Sequence, residues 1–395
     1  MLLSLLSGCE LLTFKPMLPC LDTGALTSTE PALWYPDADG DGHGDEDAGQ
    51  ALAGDSGSWI EVGGDCDDTL AEVYPGAPEL CDGMVNDCET ADSWQQDIDE
   101  AGIITWEDSL NGSWQNLAWA GDVSVSEEGT IWLCRGEQDF EVNLTLDSPG
   151  ALSLRTRGPD SRGASQPIET AVLRSAAADQ PVVTVLGGDI FLENLSLTGA
   201  SSSGDGGGLL ISGGLVSLRG NKLFSNTAGR GGGLFISGGE LQVESSSLHL
   251  NTAAAGAGIY AEDSVLSLER IYMYDNAAQG GPGGAAVFAS SSVTVVDISI
   301  YDNDTSTVGG GFYLEDSAVL CTQVMSKKDV SQIGFSGNAV SGSTADGVHL
   351  VSGEFESGAS GGGCRFEQSV WTTGGGDYVP SEPFVFSCNQ SGCSE

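Results

Sequence analysis

A five-fold internal repeat constrains this chain more than any other feature. Gly206-Gly-Gly-Leu-Leu-Ile-Ser-Gly-Gly returns as Gly231-Gly-Gly-Leu-Phe-Ile-Ser-Gly-Gly and Gly256-Ala-Gly-Ile-Tyr-Ala-Glu-Asp-Ser. It returns again as Gly284-Ala-Ala-Val-Phe-Ala-Ser-Ser-Ser and Gly309-Gly-Gly-Phe-Tyr-Leu-Glu-Asp-Ser, at steps of 25, 25, 28 and 25 residues. A period of this size means a solenoid, a propeller or an array. The columns decide between them. One reads Leu209, Leu234, Ile259, Val287, Phe312, and the column two residues on reads Ile211, Ile236, Ala261, Ala289, Leu314. One further pair of columns starts at Val216 and Leu218, and a single column starts at Leu223 and continues through Leu248, Met273 and Ile300. Apolar columns two residues apart are strands with alternate side chains inward, and no stretch has helical periodicity. The spacing predicts three short strands per period, with Phe235, Tyr260 and Tyr313 on the outward phase. Such coils stack in parallel at about 4.8 Å. A propeller would need longer periods with another strand in each blade.

The turn column Asn226, Asn251, Asn276, Asn303 agrees with stacked coils. Asparagine tolerates a left-handed backbone, and its amide can bond up and down a ladder. With the opening runs Gly129-Thr-Ile-Trp-Leu-Cys-Arg-Gly and Val182-Val-Thr-Val-Leu-Gly-Gly-Asp, the repeat region resembles right-handed parallel β-helix, pectin-lyase-like proteins. That resemblance implies an all-β fold of about ten coils over residues 129–370, with caps at 101–128 and 371–395. It says little of function, because this fold hosts polysaccharide lyases, glycoside hydrolases and adhesins alike.

Charge divides the chain. Residues 1–108 hold 25 acidic residues and one basic one, Lys15, whereas residues 109–395 hold 32 acidic and 12 basic. The shift places a domain boundary near residue 100. A net charge of −44 excludes nucleic-acid binding through phosphate neutralisation and lipid binding through a polybasic patch. No run of apolar residues is long enough to predict a transmembrane helix.

The acidic stretch, residues 34–100, begins Trp34-Tyr-Pro-Asp37-Ala-Asp39-Gly-Asp41-Gly-His43-Gly-Asp45. Alternate aspartates separated by glycine let a loop curl until its carboxylates converge. Calcium is a hard cation that takes six to eight oxygens in flexible geometry. The spacing therefore predicts one Ca2+ on Asp37, Asp39, Asp41 and Asp45, with the His43 backbone carbonyl as a further ligand. Ala48 stands where an EF-hand carries its closing glutamate, so the loop is no EF-hand.

Next come Gly64-Asp65-Cys66-Asp67-Asp68, Pro75-Gly-Ala-Pro-Glu79-Leu-Cys81-Asp82-Gly83 and Asn86-Asp87-Cys88. Residues 34–88 resemble the MopE-type metal-binding repeat of exported bacterial proteins, and the first loop is similar to thrombospondin type 3 calcium repeats. The pattern departs in three places: no Cys lies between Asp45 and Asp65, Val85 stands where the family tends to have Asp, and Glu89-Thr90 follows the last Cys. The resemblance implies a second ion on Asp65, Asp67, Asp68, Glu79, Asp82, Asn86 and Asp87. Cys66, Cys81 and Cys88 read as part of a disulfide framework, since their spacing lacks the paired knuckles of a zinc site.

The run Leu6-Ser7-Gly8-Cys9 resembles the lipobox of bacterial lipoproteins. It implies residues 1–9 as a signal segment, acylation of Cys9, a linker over 10–33, and export to the outer membrane or the extracellular space. A lipid would be the sole membrane attachment. Catalytic motifs are absent: there is no Gly-x-Ser-x-Gly, P-loop or His-Glu-x-x-His. The candidates for catalysis are Asp275 and Asp302, each in a Tyr-Asp-Asn triplet that stacking would bring together. The expectation is a structural, adhesive or glycan-binding surface protein rather than an enzyme. The alternative is a polysaccharide lyase or glycoside hydrolase using those carboxylates.

Overall fold

The computed structural model describes residues 33–49, 51–52, 59–78, 85–89, 104–108, 114–134, 139–157, 170–322, 334–336, 338–340, 346–351, 353–357, 366–367, 370–373, 376–378, 386–389 and 392–394. It divides into two units, residues 1–71 and 72–395. Among the described residues there is no helix, and hence none long and apolar enough to cross a membrane.

The larger unit is a parallel β-helix of about seven turns. One turn runs through Leu209–Ile211, Leu215–Arg219, Lys222–Phe224 and Thr227–Arg230. The next repeats it as Leu234–Ser237, Glu240–Glu244, Ser247–His249 and Thr252–Ala255. Each strand pairs in parallel with its successor, Leu209 on Leu234 and Ile211 on Ile236, Val216 on Leu241 and Leu223 on Leu248. The first two strands of a turn lie in one sheet, bent where Gly213 and Gly214, Gly238 and Gly239, Asp263 or Ser290 adopt positive φ. The third strand stacks on its own successors to make a second face, and the fourth on its own to make a third.

Three expectations need correction. The turn count falls from ten to about seven. Dividing the region by its period ignores the 18-residue strand Phe140–Arg157 at its start and the antiparallel strands at its end. Second, the turn has four strands, not three. The fourth carries Ala228, Ala253, Ala278 and Thr305 inward, and such small side chains leave no apolar column to read. Third, the repeat beginning at Gly284 is one residue out of register. Ile259 pairs with Ala286 and Ala261 with Phe288, so Phe288 and not Ala289 faces the core. A one-residue slip exchanges the two faces of a strand, and Phe288 fills the interior edge-on to Phe312 at 5.0 Å.

The core is one continuous cluster from Ile104 to Val348, built of Leu, Ile, Val and Phe columns that are essentially unexposed. Each such side chain contributes about 1.5–3 kcal/mol by leaving water. Both ends carry antiparallel strands. Ile104–Asp108 pairs antiparallel with Gly129–Cys134, and Phe386–Asn389 with Gly353–Ser357. This breaks the parallel ladder that would otherwise invite another chain to add.

Asn226, Asn251, Asn276, Asn303 and Asn338 form an internal ladder, all fully buried. The Nδ2 of each of the first four donates to the next Oδ1 at 2.8–3.2 Å, and every one of the five donates to a carbonyl of the preceding turn. The left-handed residue is not the asparagine but the one before it: Ser225, Leu250, Asp275 and Asp302, at φ 54°, 56°, 54° and 55°.

The smaller unit contains a three-stranded antiparallel sheet, Leu33–Pro36 between Ala51–Leu52 and Trp59–Ile60. Among its described residues no apolar side chain is buried; the only buried residues are Gly44 and Asp65. Described residues with no buried apolar side chain gain little from burial, so disulfides or a metal are the means by which such a segment is held.

Candidate metal centre

The strand Leu33–Pro36 delivers the chain into the loop of Asp37, Asp39 and Asp41. Gly40 and Gly42 turn it at φ +87° and +102°, which curls the intervening carboxylates inward. Every aspartate here commits one oxygen to a backbone N–H. Gly40 N donates to Asp37 Oδ1 at 2.7 Å, Asp41 N to Asp39 Oδ1 at 3.2 Å and His43 N to Asp41 Oδ1 at 2.7 Å. The second acidic segment folds onto the first. Asp67 N donates to Asp65 Oδ1 at 2.9 Å, and Asp68 Oδ1 accepts the Ala38 N–H at 2.6 Å, thirty residues away.

Two groups result, Asp37 with Asp39 and Asp68, and Asp39 with Asp41 and Asp65, each with its ligand oxygens within 4.8 Å of one another. Oδ2 of Asp39, of Asp41 and of Asp65 is buried and accepts no hydrogen bond. Asp65 is only 5% exposed. Burial is the main cause that pushes its carboxyl up to about 6, and the charges of Asp41, Asp39 and Asp68 push the same way. Asp39 is also raised, by burial first and then by Asp41, Asp68 and Asp37. Buried anionic oxygens without donors are costly unless a cation meets them.

The remaining residues of the sequence reading take other places. Asp45 accepts the Asp47 N–H at 2.7 Å, and Asp67 accepts the Thr69 hydroxyl at 2.6 Å. Asp87 accepts from Gly76 N and Glu89 N, and Asn86, fully buried, donates to the Glu72 carbonyl at 3.2 Å. His43 Nδ1 lies 3.7 Å from Asp41 Oδ1. Glu79, Asp82 and Cys9 lie outside the described residues. Cys66, Cys88 and Cys134 are disulfide-bonded. The sequence reading assigned Asp65 and Asp68 to a second, separate ion. The structure places them against the first loop, a closure over some thirty residues that local spacing does not reveal.

On the β-helix, Asp275 and Asp302 are exposed residues of the left-handed turn. Beside them Phe224, His249, Tyr274 and Tyr301 form a continuous outward stack with centroids 4.6–5.3 Å apart. A shallow groove of about 210 Å³ runs along the first face, lined by Phe191, Ser217, Arg219, Gln242, Glu244 and Ser267 among others. Arg270 bridges Glu244 and Glu269 at its rim. This groove was missed in the sequence, although the outward charges Arg219, Glu244 and Glu269 share one phase of successive strands.

Two family models match. Residues 198–383 match "Right handed beta helix region", and residues 65–92 match "Putative metal-binding motif", whose model is named Cu-binding MopE. No curated protein and no solved structure matches the chain. Asp37, Asp39 and Asp41 precede the matched motif, so the clustered acids extend beyond it. The chain carries a MopE-type metal-binding motif followed by a right-handed β-helix region.

Proposed function

We propose that this chain is an exported bacterial surface protein. In this reading a calcium-loaded acidic module precedes a rigid β-helix that presents a glycan-binding or adhesive face. The observation that carries it is Asp65: the sole buried side chain among the described residues of the first unit is a carboxylate, with one oxygen unpartnered. Calcium fits the donors better than copper. All five clustered ligands are carboxylates, which suit hard cations, whereas copper favours nitrogen and sulfur. Millimolar calcium outside cells matches the weak affinity of extracellular modules.

Disulfide-bonded cysteines support an oxidising compartment, and acylation of Cys9 would tether the protein there. The polar groove beside Phe191 supports a sugar ligand, since glycan sites pair an aromatic surface with hydrogen-bonding side chains. The charge of −44 favours neutral over polyanionic glycans.

The test is calorimetry on the full chain, stripped with chelator, against Ca2+, Mg2+ and Cu2+, followed by passage over immobilised glycans with and without calcium. Calcium binding and retention on one glycan are expected. Silence toward calcium, or its displacement by equimolar copper, would overturn the metal assignment. Release of new reducing ends or unsaturated products would make the protein a polysaccharide lyase or hydrolase instead.

A further inference from the structure

We infer that the acidic module holds two divalent cations side by side, bridged by Asp39, and not one ion in each acidic segment. This rests on the reading of the module as a cation site and adds its stoichiometry and architecture. Asp39 belongs to both carboxylate groups, with Asp37 and Asp68 on one side and Asp41 and Asp65 on the other. A carboxylate has two oxygens and can bridge two metals, which then lie about 4 Å apart.

Charge favours the second ion. The five aspartates together carry five negative charges. One dication would leave three of them uncompensated, in a cluster where Asp39, Asp41 and Asp65 each hold a buried oxygen without a donor. Two dications leave one. The two centres also differ in depth: the group with Asp41 contains Asp65, only 5% exposed, while the group with Asp37 and Asp68 is only half-buried. The inner centre fills first and the outer one second, with weaker affinity. The Ala38 N–H bond to Asp68 Oδ1 fixes the outer wall against the loop that supplies Asp37 and Asp39. The bridging residue therefore comes from the loop preceding the matched motif, and the motif supplies one wall of each centre.

The experiment is native mass spectrometry of the full chain with calcium alone, comparing ion counts between variants so that ions held elsewhere cancel. Asp37→Asn loses one ion relative to wild type, and Asp39→Asn loses two. If Asp39→Asn loses one or none, the bridge is wrong. Because Asp39→Asn can also fail by misfolding, wild-type protein loaded with a mixture of terbium and europium supplies a second readout. Ions about 4 Å apart give strong terbium-to-europium energy transfer, and its absence in a lanthanide-loaded protein overturns the proposal. A wild-type chain that takes up no ion at all would instead sink the underlying metal reading.

Discussion

Asn276 donates its side-chain amide to Asn303 Oδ1 at 2.8 Å and to the Leu248 carbonyl at 2.9 Å, in a fully buried turn of the β-helix. Its own Oδ1 accepts from the backbone and side chain of Asn251 at 3.1 and 3.0 Å. One amide thus satisfies polar groups in three successive turns. Asn276→Ala strands the Asn251 N–H and the Leu248 carbonyl away from water. Each buried orphan costs about 1–3 kcal/mol, so a loss on the order of 3 kcal/mol is expected. Denaturant unfolding measures it; a loss under about 1 kcal/mol would show that water takes the place of the amide.

The register around Phe288 gives a second test. Ala286 is inward and unexposed, whereas Ala289 is half-buried on the outward phase. Ala286→Leu overfills the core and destabilises by about 1–3 kcal/mol, while Ala289→Leu is near neutral. Phe288→Ala costs about 3–5 kcal/mol. The opposite order for the two alanines would restore the register that the glycine spacing suggests.

His249 lies between Phe224 and Tyr274, with Nδ1 buried and accepting no hydrogen bond. Burial lowers its pKa, Asp275 opposes the shift, and Lys222 adds to it. A depressed folded pKa means that the unfolded chain binds the proton more tightly. The stability that neutral His249 contributes is therefore complete above the unfolded value of about 6.5 and is lost as pH falls below it. His249→Phe keeps the stack and removes the titration. Thermal melts from pH 7.5 to 5 should show a smaller fall in Tm for the variant than for wild type, and parallel curves would refute the assignment.

Metal removal should act on one unit only. The first unit has no buried apolar side chain among its described residues, while the β-helix has a continuous apolar core. A calcium chelator should speed hydrogen exchange at Gly40, His43 and Asp67, whose N–H groups bond to the clustered aspartates. Exchange within Leu209–Tyr301 should not change. Equal protection with and without chelator would mean that disulfides alone hold the acidic loops.

Much of this architecture was legible before the fold. Columns such as Val216, Leu241, Leu266 and Val293 specify parallel stacking, because alternate apolar residues at a fixed period have only one common burial solution. The aspartate spacing of residues 37–41 likewise dictates a curled, oxygen-rich loop, since that geometry is local. Tertiary structure decided the rest. The alanine face at Ala228 and Ala253 gave no signal because small side chains carry little hydrophobic contrast. Phe288, not Ala289, entered the core because interior volume, not glycine spacing, selects the register. Asp65 and Asp68 joined the first loop because a cation site gathers oxygens by distance in space, and sequence spacing reports distance only within a turn or two of chain.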